Sequence, residues 1–389
     1  MSTRTTPPDA PRGTRSALTP GAPQPPASGR AGRAGGRPPA PGTPTSSLTA
    51  DQLPRFFTIA TVVVALAVAA GVLGLAGVLN LPLVAVVAAV VFLLLTWIAS
   101  RLVEGPRRAK DRIMASLATL AFLVALAPLV SLSGQTVGYG VLRFDAQFFS
   151  YSMRNVVGAG GGAVHALWGT LIVTGLTTLI SVPIGLLCAI YLVEYGARAR
   201  LARWITFFVD VMTGIPSIVA GLFAYALFGI LVGPGAVSGL SGAVALSVLM
   251  IPTVVRSAEE YLRLVPNELR EASLALGVPK WRTVLRVVLP TALAGIVTGV
   301  ILSLARVIGE TAPLLVTMGL TDSLNTDPLH GAMTTLPVFV YYQYTQPGTP
   351  PDSYLARAWA GALTLVLLVM LLNAIGRLVA FRFAPKTRS

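Results

Sequence analysis

The sequence predicts an all-α membrane protein, a polytopic helical bundle of about eight transmembrane helices. Three observations predict it. Of the 389 residues, 54% are hydrophobic and 11% charged, and the mean hydropathy is +0.74, too apolar for an ordinary soluble domain. Apolar runs recur at close to the roughly 20 residues a helix needs to cross a hydrocarbon core. The basic residues collect on alternate connections between those runs.

Residues 1–50 hold eleven Pro and seven Gly and cannot bury enough apolar surface to offset their ordering entropy, so 1–55 reads as a disordered cytoplasmic tail. It has no hydrophobic core or cleavage site of a signal peptide. Eight spans follow, at approximately 56–79, 82–100, 113–133, 164–193, 205–231, 236–254, 291–318 and 355–380. The first two form an additional hairpin, 56–104, turning at Asn80, Leu81 and Pro82. Residues 105–163 hold the first helix of a six-helix core and a connection rich in aromatics and glycine. Residues 164–380 hold the other five, and 381–389 form a second tail. Gly233, Pro234 and Gly235 make a turn between the fifth and sixth spans.

Of the 29 Lys and Arg, 25 fall on one side if the chain crosses eight times; Arg143, Arg154 and Arg357 fall on the other, and Arg306 lies within a span. Basic residues stay cytoplasmic, which puts both termini inside. The same asymmetry accounts for the net charge of +14 without nucleic acid; the partner it implies is the lipid bilayer. The single cysteine, Cys188, excludes an intramolecular disulfide and a thiolate metal cluster. There is no His-Glu-x-x-His and no Gly-Lys dipeptide, hence no P-loop. No cofactor is expected on this chain, and any ATP must be used by another.

Residues 256–290 carry ten charged side chains in thirty-five residues, flanked by long apolar segments. Two short helices are readable there. Pro266 suits a first helical position, and Glu268 and Glu271 suit the positive end of a helix. Leu269, Ala272, Ser273 and Leu276 share a face that is small at its centre. Gly277 fits a left-handed helix stop. Pro279 starts a second helix with Trp281, Leu285 and Val288 along one side, and Pro290 leads into the next span. A small-residue face between charged flanks suits docking in a groove on another protein; the alternative is a helix lying on the membrane.

Glu271, Ala272 and Ser273, then Gly277, then Leu289 and Pro290 resemble the coupling loop of ABC importer permeases, with Ser273 in place of the family's second Ala. Further matches are Gly160, Gly161 and Gly162 with Gly169, Thr170 and Leu171; Pro216, Ser217 and Gly221; Arg263 and Pro266; the run Arg306 to Leu315 with Gly309, Glu310, Thr311, Ala312 and Pro313; and Asn325 with Leu336 and Pro337. Together they cover roughly 113–380 and resemble the PstA-type permease family of phosphate importers. That resemblance implies a type I ABC importer permease fold in the plasma membrane. It also implies ABC ATPase subunits docked on 256–290, a second homologous permease subunit and an extracytoplasmic phosphate-binding protein. The tail and the 56–100 hairpin depart from the family's six-span pattern.

A charged side chain within a span is costly and marks a functional site by default. Arg306 and Glu310, four residues apart, are expected to share a helix face and pair. Guanidinium matches phosphate oxygens in a bidentate way, so phosphate is expected to compete with Glu310 for Arg306; the alternative is a structural ion pair. Ser217, Thr311 and Thr213 offer hydroxyls to an oxyanion, although such residues commonly bond back to their own helix. Arg256, just beyond a predicted span, reads as a positive-inside residue, to which the resemblance adds a transport role. Asp210 is expected to pair with Arg203. A sulfate or molybdate permease is a second reading of the transporter. Gly239, Leu240, Ser241 and Gly242 with His165 or His330 raise an intramembrane serine protease, and a channel is the remaining class; neither gives the 256–290 segment a role.

Overall fold

The computed structural model describes residues 53–54, 56–78, 80–196 and 199–383, and among these the only regular structure is helical. The tail expected over 1–55 lies, apart from Leu53 and Pro54, outside the described residues, as do 384–389. The chain forms two compact units, Met1–Leu117 and Ala118–Ser389.

In the first unit α1 (Phe57–Leu75) packs against α2 (Leu81–Val103) as the expected hairpin, but only Asn80 of the expected turn lies between the helices; Leu81 and Pro82 open α2. Apart from Phe92 the seam is small and hydroxylated: Thr61, Ala65 and Ala69 of α1, and Ala88, Thr96 and Ser100 of α2, are buried while most long aliphatic side chains point outward. That arrangement suits helices packed in lipid, where small residues let backbones approach. α3 (Pro106–Gly140) begins almost at once, so the basic residues 107–112, expected in a loop, form its first turns. Glu104 closes the corner: it accepts both Nε and Nη2 of Arg112 at 2.6 and 2.7 Å, the Ser100 hydroxyl at 2.8 Å and the Leu53 N–H at 3.0 Å. Burial alone would push this carboxyl up, but those four donors and the Arg112 charge hold it down at about 2.

The second unit continues α3 through a turn at Val141–Arg143 into α4 (Ala146–Ser150), whose cap, Asp145, accepts the Phe148 N–H at 2.7 Å. There follow α5 (Val164–Ile190), prolonged by a π-helical turn at Tyr191–Tyr195; α6 (Arg200–Thr213); α7 (Ser217–Leu231); α8 (Gly239–Arg263); α9 (Asn267–Ala275); and α10 (Lys280–Thr283). Then come π-helical turns at Val284–Val288, α11 (Leu289–Val307), α12 (Ala312–Thr317), α13 (Leu336–Thr345) and α14 (Pro351–Phe383). α8 is the central helix, with 61% of its most apolar stretch buried against at most 28% for any other span. Its Gly239, Ser241, Gly242, Ala243 and Ala245 keep it slim, and it packs against α5, α6, α7, α11 and α12. At Gly185 of α5 an added Cβ would lie 2.7 Å from Val254 of α8.

At one end of this unit Arg357 of α14 is 1% exposed. It donates to Gly158 O at 2.7 Å, Gly160 O at 3.0 Å and Gln343 Oε1 at 3.0 Å, and lies 4.4 Å from the Tyr354 ring centroid. Arg143 donates to Gly161 O at 2.8 Å. Two guanidinium groups thus satisfy the carbonyls of the glycine-rich connection, whose Gly158, Gly160 and Gly161 all have positive φ.

Among the described residues seven helices are long and apolar enough to span a bilayer, and α6 with α7 brings the candidate spans to eight. That last pair corrects the expected span 205–231: its halves meet at 110°. Pro216 restricts Ile215 to extended backbone and Gly214 ends α6, so a run of unbroken hydropathy is not an unbroken helix. The expected span 291–318 also ends early, at Val307. The span expected to stop at 254 instead runs to Arg263, so the charged segment starts inside α8.

Candidate functional site

The two helix breaks face one another. α7 packs on α12, and Gly221 makes this possible: a Cβ there would lie 2.7 Å from Pro313 Cα and 2.9 Å from Pro313 O. At the junction lies a cavity of about 190 Å³ lined by Met212, Thr213, Ile215, Ser217, Leu249, Thr253, Arg306 and Glu310. Its walls are the α6–α7 bend, α8, and the bend between α11 and α12. A larger, more open cavity of about 550 Å³ is lined by Thr253, Arg256, Ser257, Leu302, Ser303, Ala305 and Arg306. Thr253 and Arg306 border both. The structure therefore brings Arg306, Glu310, Ser217 and Thr213 together, with Arg256 in the adjoining space. Thr311, just before α12, lines neither cavity.

Arg306 and Glu310 do not share a helix face. α11 ends at Val307 and the chain turns at Ile308 to Thr311, so the i,i+4 relation fails. No ion pair joins them among the described residues; they face one cavity as separate charges. Arg256 is not beyond a span but two turns inside α8, paired with Asp210 and, at 2.9 Å, with Glu259. Glu259, 7% exposed, also pairs with Arg263, and this shared carboxylate lets α8 carry its charges onward. The expected Asp210–Arg203 pair is replaced by Asp210–Arg256. Thr213 Oγ1 donates to Asp210 O at 2.6 Å, the back-bonding its residue type favours.

The 256–290 segment forms the expected pair of short helices, with Pro266 and Pro279 each one residue before a helix rather than inside it. Gly277 has φ +76°. α9 has no buried residue, leaving Leu269, Glu271, Ala272 and Leu276 open to a partner. Ser273 departs from the expected face: half-buried, its hydroxyl lies 2.9 Å from that of Thr283 and braces α9 against α10. Trp281 and Leu285 are exposed while Val288 is buried, because the π-helical turns between them advance the face. Those turns also accommodate Leu289 and Pro290 within one helical run, Lys280–Val307, since Pro290 has no N–H to give an α-helical bond. Sequence reasoning missed Glu194, at the end of α5, whose Oε1 accepts Arg270 Nε at 2.9 Å. The two lie 76 residues apart, and no local pattern links them.

Among the described residues no serine–histidine dyad forms. Ser241 is fully buried in α8, its N–H held by the Ser238 cap at 3.1 Å. His330 bonds Asp327 at 2.8 Å, and His165 is buried without a hydrogen-bond partner.

The family model described as "Binding-protein-dependent transport system inner membrane component" matches residues 181–389, a range that holds both cavities and the 256–290 segment. The phosphate transport system permease protein PstA 1 of Mycobacterium tuberculosis (strain CDC 1551 / Oshkosh) is 45% identical over 278 residues, 71% of this chain and 90% of that protein. The corresponding PstA of Mycobacterium leprae is 45% identical over 287 residues, 72% of this chain and 91% of that one. That of Pasteurella multocida is 38% identical over 274 residues, 70% and 95% respectively.

Proposed function

The chain belongs to the PstA family of phosphate transport permeases, and from that premise we propose how its residues take part in import. It is a membrane-spanning subunit of an ATP-driven phosphate importer and not itself an enzyme. ATP is used by separate ATPase subunits seated on the exposed face of α9, with Glu271, Ala272 and Gly277 at the contact. A second permease subunit completes the path, and an extracytoplasmic binding protein delivers phosphate to the end opposite α9. The charge asymmetry supports both termini being cytoplasmic.

One observation carries the site: Arg306 borders both cavities at the point where two helices are broken. Irregular backbone within a membrane is tolerated where it lines a hydrated space, and a half-helix N-terminus turned to such a space favours an anion. Ser217, the first residue of α7, lines the smaller cavity with Arg306. A phosphate there meets a guanidinium, a hydroxyl and the positive end of a helix. Glu310, on the same cavity, repels the bound dianion and so favours its release. In an assembled complex, Arg306→Gln should lower phosphate uptake about 10- to 100-fold, the loss of one charge-assisted contact. Uptake at the normal rate refutes the site; uptake of sulfate or molybdate in preference to phosphate moves the reading to another oxyanion.

A further inference from the structure

α9 buries none of its residues, yet a helix that receives force must be anchored to what it moves. Its anchor is Arg270. This side chain is 15% exposed and Glu194 is 6% exposed. Its Nε donates to Glu194 Oε1 at 2.9 Å, Nη2 to Leu262 O at 2.8 Å, and Nη1 to Val265 O at 2.6 Å and Asn267 Oδ1 at 3.2 Å. One guanidinium thereby joins three elements: the end of α8 with the turn that follows it, the start of α9 and the π-helical turn that prolongs α5. Lys280, opening the helical run that leads to Arg306, donates to the Glu194 carbonyl and lies 4.9 Å from the Tyr195 ring centroid. Glu194 is thus held through its side chain by α9 and through its backbone by α10. The far end of α5 is tied as closely: Thr170 Oγ1 accepts the Leu336 N–H at 2.7 Å, and a Cβ on Gly169 would lie 2.0 Å from Thr334 O.

We propose that Glu194 and Arg270 are positioning residues of the coupling step, carrying displacement of α9 into α5 in parallel with the covalent route through α10 and α11. Chain continuity alone moves α11; the Glu194 clamp makes α5 move with it, so both walls of the α8 core are driven together. A part-buried ion pair that adds little net stability is suited to this, because its directed hydrogen bond fixes the register of two elements that, among the described residues, share no other bond of that kind. The inference rests on α9 being the ATPase-docking helix.

The test uses the full importer in vesicles, with its ATPase and phosphate-binding protein, and reads hydrolysis, phosphate uptake and retention of the ATPase. Glu194→Ala should retain the ATPase and hydrolyse within about twofold of the parent, while phosphate imported per ATP falls tenfold or more. Glu194→Gln keeps the Oε1 acceptor and should restore most of that ratio, which a requirement for charge alone would not. Lys280→Met removes the second link and should lower the ratio several-fold; it decides the matter if Glu194→Ala does not assemble. An unchanged ratio in Glu194→Ala, or in Lys280→Met where that variant decides, overturns the proposal. Ala272→Arg, on the exposed face of α9, tests the docking reading separately: it should release the ATPase, and if the ATPase stays bound, that reading fails whatever the ratio shows.

Discussion

Gly221→Ala should injure transport more than its size suggests. The added Cβ would lie 2.7 Å from Pro313 Cα and 2.9 Å from Pro313 O, whereas carbon atoms in good contact sit about 3.5–4.0 Å apart. Both obstacles are backbone, so α7 and α12 must separate by about 1 Å. Overpacking of this kind costs about 1–3 kcal/mol. A comparison on the same helix isolates it. Gly229, also in α7, would meet nothing within 4 Å, so Gly229→Ala makes the same chemical change without the clash. Any gain in helix propensity, about 1 kcal/mol, is shared by the two and cancels. Thermal unfolding of the assembled complex should place Gly221→Ala below Gly229→Ala by that 1–3 kcal/mol. Phosphate uptake should fall for Gly221→Ala alone, since Ser217 lies four residues from the clash and lines the cavity. If the two variants match in both measurements, the α7–α12 contact does not shape the cavity.

Two further outcomes follow from buried charges. Arg357→Met leaves the Gly158, Gly160 and Gln343 oxygens without their donor; at about 1 kcal/mol each, the complex should lose about 3 kcal/mol by thermal unfolding, and residues 151–163 should become sensitive to limited proteolysis. Glu104 titrates at about 2 when folded and near 4.5 when unfolded. Its contribution to stability is therefore complete above pH 4.5 and is lost as pH falls from there toward 2. Glu104→Gln should destabilise at pH 7, and its deficit should shrink as the pH drops below 4.5; a deficit that does not change with pH would show that the carboxylate charge is not what holds the α2–α3 corner.

The spans and the pair of short helices in 256–290 were legible because each is written locally, in apolar run length, in the prolines before α9 and α10, and in Gly277. The pairings were not. Arg256 to Asp210 and Arg270 to Glu194 join residues 46 and 76 apart, and one sequence offers no signal for either. Charge itself misled at the end of α8: Arg256, Glu259 and Arg263 read as a loop because charges seek water, but Glu259 serves both arginines and the helix continues. Hydropathy misled at Gly214 to Pro216, since an apolar window averages over a bend. The motif residues were found there, but their purpose was not, because Gly221 and Pro313 explain each other only when the two helices touch.

The bends are not separate curiosities. Each helix end leaves backbone N–H and C=O groups without helical partners, a cost lipid cannot relieve. α6 ends and α7 begins at Gly214 to Pro216; α11 ends and α12 begins at Ile308 to Thr311. Placed apart, each would need its own polar surroundings. Placed against each other by Gly221 and Pro313, they share one polar space, the cavity that Ser217, Arg306 and Glu310 border. α10, which follows the proposed docking helix α9, stands at the other end of the same run, since Lys280 to Val307 is continuous helix and Arg306 is its penultimate residue. A motion imposed at α10 would therefore arrive at a point where the backbone is already broken and where, among the described residues, Arg306 forms no ion pair. A rigid, unbroken span would resist that motion along its whole length. The bends would confine the change to the cavity.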